Sequence, residues 1–263
     1  MMQTFDERVA QLDTSLFQPI QSQTTGDDKR SLLKLQDCVR KQGSYVYLEI
    51  GSHLGGTVQP HYVDPRCELI FSVDKRPAAQ PDERGIVYEY HDNSTERMRE
   101  NLRSAFPQAQ HDRLVTFDCD ASEVNPSDIS PRPQFCFIDG EHTNPAVLSD
   151  FAFCRSVCDD DAVIGFHDTC FVFEGVQQIQ HDLQSEGVRF AGFKLGGSVY
   201  AILLGKSIER FSGELSKLAQ DETAYFDRAR RDLERMHLQN QYPVLRILDF
   251  PRKIIRRLRR KVG

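Results

Sequence analysis

The sequence predicts an α/β fold: a doubly wound, mostly parallel sheet of seven strands that ends in an antiparallel hairpin and is followed by a C-terminal helical arm. Three observations carry this. Short apolar runs bounded by turn residues recur through the middle of the chain, helix-like segments alternate with them, and Gly196-Gly197 separates the last two runs. Buried parallel strands read as short continuous apolar runs, whereas a glycine-paired connection favours a hairpin. At 263 residues and 39% hydrophobic content, the chain is long enough for one large α/β domain or two small ones.

Taken in order, residues 1–44 read as an N-terminal helical segment and residues 45–206 as the main domain. Strands are expected at Tyr45–Ile50, Leu69–Val73, Leu114–Phe117, Phe135–Ile138 and Ala162–Phe166. Helices are expected at Thr95–Ala105, where Asn93 and Glu96 have the spacing of a capping box, at Pro145–Val157 and at Val176–Ser185. Val188–Phe193 and Ser198–Leu204 form the hairpin. From Ser207 the pattern becomes a long helix with Ile208, Phe211, Leu215, Leu218, Phe226, Leu233 and Met236 at helical spacing, an arm for the domain or for a second copy of the chain. The arm, residues 207–263, closes on a basic amphipathic tail: Arg252, Lys253, Arg256, Arg257, Arg259, Arg260 and Lys261 alternate with Ile254, Ile255, Leu258 and Val262 behind Pro251. Such a tail suits either an anionic membrane surface or a solvated, subunit-contacting helix.

Composition narrows the function classes. A formal charge of −6 argues against nucleic-acid binding by whole-surface attraction. The opening residues hold neither an apolar core nor a basic leader, and no stretch approaches a membrane span, so a cytoplasmic protein is expected, with peripheral attachment to the inner membrane surface through the tail as an option. The seven cysteines are odd in number and lack a C-x-x-C pair, which favours reduced thiols; Cys154 and Cys158, four apart, are a weak metal signal.

The first strand runs into Glu49-Ile50-Gly51-Ser52-His53-Leu54-Gly55-Gly56, glycines placed where the chain must turn and a ligand can approach bare backbone. Asp74 ends the second strand, where an acidic side chain can accept from two ribose hydroxyls. A dinucleotide site would want glycine where Glu49 stands, because a carboxylate repels phosphate. S-adenosylmethionine, with an ammonium and a sulfonium and no phosphate, fits that position better. Asp120, before Ala121, either accepts from an adenine amino group or caps the next helix.

Together with Phe137-Ile138-Asp139-Gly140-Glu141-His142 and Gly165-Phe166-His167-Asp168-Thr169, these residues resemble the class I, Rossmann-like S-adenosylmethionine-dependent methyltransferases related to the macrocin-type sugar O-methyltransferases, from about Tyr45 to Leu204. The terminal hairpin is the ending expected of that class. The resemblance implies S-adenosylmethionine held by Glu49, Gly51, Ser52, Gly55, Asp74, Asp120 and Ala121. It implies a divalent metal, Mg²⁺ or Mn²⁺, held by Asp139, His167 and Asp168, with Asp139 and His142 catalytic and His142 as the base. His167 departs from the pattern by standing where an acidic ligand is expected, and imidazole suits a transition metal better than Mg²⁺. Pro60 shortens the helix after the glycine turn, and the stretch from Pro77 to Gly85 is longer than a tight connection needs.

The expected chemistry is metal-assisted methyl transfer to a sugar or glycan hydroxyl. The alternatives are an NAD-dependent sugar oxidoreductase and a non-catalytic membrane-surface subunit that retains the fold. A homo-oligomer is compatible with the arm. On the residues alone, Asp139-Gly140 also reads as a turn, His142 as a helix cap and Asp168-Thr169 as a helix start.

Overall fold

The computed structural model of the chain describes residues 3–242. The basic tail anticipated from the sequence lies outside the described residues. Five parallel strands form the body of the sheet: β1 (Tyr45–Ile50), β2 (Cys67–Val73), β5 (Leu114–Phe117), β6 (Phe135–Ile138) and β7 (Val163–Phe166). The hairpin of β8 (Phe190–Lys194) and β9 (Tyr200–Leu204) completes seven strands in the order β5-β2-β1-β6-β7-β9-β8, with β9 antiparallel to β7. β1, β6 and β7 are buried along their whole length, which is why they read as unbroken apolar runs.

Alternation along each strand sorts the core into two layers. Val46, Leu48, Ile138, Ile164 and Ile202 face α5 (Asn144–Val157), α6 (Phe173–Ser185) and α8 (Glu222–Gln241). Tyr45, Tyr47, Phe135, Phe137 and Val163 face α2 (Gly26–Arg40), α3 (Gln59–Val63), α4 (Thr95–Ala105) and α7 (Ser207–Leu215). α2 is therefore a wall of the main domain: Leu32, Leu33 and Leu35 belong to this second layer. A short helix, α1 (Phe5–Ala10), precedes it.

Several expectations need correction. The helix at Thr95 is capped by Ser94, whose side chain accepts from the Arg97 N–H, and not by Asn93, whose side chain instead accepts from Arg76. The arm is two helices: Asp221 caps α8 through the Ala224 N–H, and the Gln220 N–H reaches back to the Lys194 carbonyl, so the chain turns before the second helix starts. Cys158 lies just past the end of α5; all seven cysteines are free thiols.

The stretch after β2 holds an antiparallel hairpin that the sequence pattern did not announce, β3 (Ala79–Asp82) and β4 (Ile86–Glu89). Pro81 and the charges of Asp82, Glu83 and Arg84 masked it, since proline and acidic residues are depleted in strands. Among the described residues no helix is long and apolar enough to cross a membrane.

Candidate functional site

The parallel strands all end on one edge of the sheet, and two cavities open there, as ligand sites do in such sheets. β1 delivers the glycine turn, where Gly51 (φ +86°) packs so closely on β6 that a Cβ would overlap the Asp139 carbonyl. The turn is tied to β2 by Asp74: its carboxylate accepts from the His53 N–H at 2.8 Å and the Arg76 N–H at 2.8 Å, holding two residues of positive φ.

The first cavity is lined by Gly51, His53, Asp139, His142, His167 and Asp168, with Tyr90 and the segment of Gln21, Ser22 and Gln23 as its outer wall. Asp139 and His142 follow β6, and Asp168 follows β7. His142 Nε2 lies 3.2 Å from Asp168 and 4.0 Å from Asp139, while Nδ1 lies 3.3 Å from Asp82 of the β3–β4 hairpin. Burial opposes charge on His142, but the carboxylates of Asp139, Asp82 and Asp168 outweigh it and push the imidazole up to about 9. Asp82 is gripped by Arg84, which approaches both oxygens at 2.8 and 2.6 Å and rests over the Phe171 ring.

His167 does not join the ligand set expected of it. Its Nδ1 is 2.8 Å from Asp139, and its Nε2 is 3.5 Å from the buried Asp28 of α2. Burial again opposes charge, yet Asp139, Asp168 and Asp28 hold this imidazole well above its ordinary value. It acts as a buried cation bracing Asp139. Asp28 also accepts from the Ser198 N–H at 2.6 Å, linking α2 to the β8–β9 turn. The residues that converge as ligands are Asp139, His142 and Asp168, with one donor atom each, all within 4.8 Å. Two oxygens and one imidazole nitrogen, all three from partly exposed residues that line the cavity, fit a divalent transition ion.

The second cavity extends over β2 and β5 and is lined by Asp74, Lys75, Gln80, Ala121, Gly140 and Asp150, beside Asp120 and Glu141. Asp120 caps the turn after β5, its carboxylate accepting from the Ser122 N–H and hydroxyl at 3.0 and 2.7 Å. Ser52 lines the first cavity and bonds to Ser72 at 2.5 Å, whereas Gly55 lies behind the turn, packed on α4 near Met98.

Glu49 lines neither cavity. It is fully buried and takes hydrogen bonds from the hydroxyls of Tyr47 and Thr57; burial pushes its carboxyl up to about 8. The anionic Glu49 expected beside the cofactor is thus a neutral, interior group. Asp28, Asp82, Tyr90, Gln80 and Asp150 were not anticipated. Only Asp150 left a trace in the sequence, as a lone acid on the otherwise apolar face of α5.

Residues 48–169 match a family described as a methyltransferase domain. No curated protein sequence is detectably similar to the chain. Among solved structures, a calicheamicin methyltransferase is 13% identical, over 78% of this chain and 94% of its own, with a TM-score of 0.50. The MycE methyltransferase of the mycinamycin biosynthetic pathway, solved with Mg and SAH, is 12% identical over 76% of this chain and 55% of its own, also at 0.50. An O-methyltransferase from Bacillus cereus in complex with SAH is 14% identical over 78% and 92%, at 0.48. Likeness at these identities speaks for the fold, and it is the matched domain over the glycine turn, Asp74 and the ends of β6 and β7 that supplies the activity class. On that match, the oxidoreductase alternative falls away and residues 48–169 of the chain form a methyltransferase domain.

Proposed function

We propose that the protein is an O-methyltransferase that acts on a hydroxyl of a sugar or glycan with the assistance of a divalent metal. The observation that carries this reading is the convergence of Asp139, His142 and Asp168 in a cavity directly against the glycine turn. An alcohol is a poor nucleophile while protonated, so a methyl acceptor of this kind needs a base at the reacting oxygen.

His142 is built for that role. Asp82 occupies Nδ1, which leaves Nε2 as the nitrogen turned toward Asp139, Asp168 and the cavity. In this proposal Asp139 and Asp168 hold the ion, whose charge would offset the carboxylates that keep His142 protonated, and the neutral Nε2 then accepts the acceptor proton. A bound divalent ion would lower the pKa of the acceptor hydroxyl. Asp74 would take the cofactor ribose, and the backbone at Gly51 leaves room for its amino-acid portion. The outer wall supports a polyhydroxylated acceptor, because Gln21, Ser22 and Gln23 offer neutral donors and acceptors beside the Tyr90 ring.

The test combines turnover with binding. Chelation should lower methyl transfer from labelled S-adenosylmethionine to a panel of sugars and glycolipids while sparing affinity for S-adenosylhomocysteine. With two carboxylates as the ligands Mg²⁺ should restore turnover, and a marked preference for Mn²⁺ would instead mark His142 Nε2 as a ligand. Calorimetry of Mn²⁺ with His142→Ala separates base from ligand: the base role predicts retained metal affinity with lost turnover. Full turnover in a metal-free preparation would exclude the metal-assisted mechanism.

A further inference from the structure

We propose that Asp150, on α5, reads the adenine of the cofactor, and that Asp120 does not. The inference rests on the methyltransferase assignment and concerns the far end of the second cavity. On that assignment Asp74 would take the ribose, and the walls beyond it are small: Ala121 on one side, Gly140 and Ala146 on the other. Such a slot suits a flat base. Two carboxyl groups could meet the polar edge of that base, and they differ in what they are already doing.

Asp120 is committed. It caps the turn after β5 and lies 3.9 Å from Lys75, which also pairs with Glu141 at 2.6 Å. Asp150 is 7% exposed, lines the same cavity, and has neither a hydrogen bond nor an ion pair among the described residues. A Cβ on Gly140 would come within 2.9 Å of Asp150 Oδ2, so the absence of a side chain there is what leaves that oxygen its place beside the cleft. Gln80, 8% exposed, also turns a buried and unpartnered side-chain oxygen to this cavity. Buried polar groups without partners are uncommon in folded proteins, and the Gln80 oxygen, beside an Asp150 carboxyl that only the open cleft can satisfy, calls for a ligand that supplies the missing bonds.

The protonation state matches adenine. Burial, with the negative charges of Asp120 and Glu141, pushes the Asp150 carboxyl up to about 7 against the opposing pull of Lys75. A neutral carboxyl presents one O–H donor and one carbonyl acceptor. Adenine offers the complement on either polar edge: the 6-amino group donates and a ring nitrogen accepts. An ionised Asp150 would keep the first bond and set its charge against the ring nitrogen's lone pair. Lys75 is pushed up and Asp120 down, and the nearby Cys119 thiol is pushed up as well, so these neighbours keep their charge states from pH 6 to 8.

The experiment is calorimetry of S-adenosylhomocysteine and of its analogue with unsubstituted purine, lacking the 6-amino group. The parent should lose about 10-fold in affinity on deletion of that group. Asp150→Leu should bind both ligands equally, and Asp120→Ala should keep the full discrimination, as a double-mutant cycle requires for a direct pair. Asp150→Asn guards against a folding defect in the leucine variant: its amide mimics the neutral carboxyl, so it should retain affinity while losing the weakening that the parent shows between pH 6 and 8. Discrimination that survives in Asp150→Leu, or that is lost in Asp120→Ala, would overturn the proposal. So would an Asp150→Asn profile that parallels the parent's with pH. A parent that binds no S-adenosylhomocysteine would instead refute the cofactor assignment itself.

Discussion

The carboxyl of Glu49 is neutral through most of the physiological range because the interior removes water from it and leaves two hydroxyl donors in exchange. Its pKa is raised on folding, so its stabilising contribution is fully present below about pH 4.5 and is lost as pH rises toward about 8. Across that window the loss is on the order of a few kcal/mol. Glu49→Gln, which cannot ionise, should flatten the dependence of thermal stability on pH between 5 and 9; parallel profiles for the two proteins would contradict the neutral state. Asp82 makes the opposite kind of contribution, acting through His142 without touching a reactant. Asp82→Asn should lower kcat by about 10- to 100-fold, the range for loss of a carboxylate behind a working histidine. Affinity for S-adenosylhomocysteine should stay near that of the parent, and an equal loss in both quantities would assign Asp82 to general stability.

At the level of elements, the legible parts were those whose sequence pattern and burial agree. β1, β6 and β7 are buried end to end and wrote themselves as apolar runs, and the glycine pair marked the β8–β9 hairpin. β3 and β4 were illegible because they are half-exposed, charged and stabilised by what they touch. The Glu83 N–H donates to the His142 carbonyl, and the carbonyls of Glu83 and Arg84 are met by His237 and Asn240 of α8. The same reason hid the role of His167. Its sequence position suggested a ligand, and the carboxylates of Asp139 and Asp168, with Asp28 approaching from α2, hold it as a cation. α8 thus steadies the hairpin that steadies His142. Replacing His237 and Asn240 together by alanine should lower turnover by about 10-fold through this misplacement, with a much smaller change in cofactor affinity; steady-state kinetics beside calorimetry would reveal it.

At the scale of the whole molecule, the first cavity is a meeting of distant parts of the chain. Gln21 to Gln23 wall it, Asp139 and Asp168 floor it, and a Cβ on Gly56 would come within 2.6 Å of the Gln21 carbonyl, so the early segment lies directly on the cofactor turn. The pairing of Asp28 with Ser198 spans 170 positions. A nascent chain leaving the ribosome therefore carries its first wall long before the residues that wall encloses have been made. Helix α2 packs on the earlier α1 but meets β7 only once that strand has been made. Closing so long a loop comes late and at an entropic cost. Partial products of translation accordingly contain no working site, and catalytic activity reports on the completed chain rather than on any piece of it.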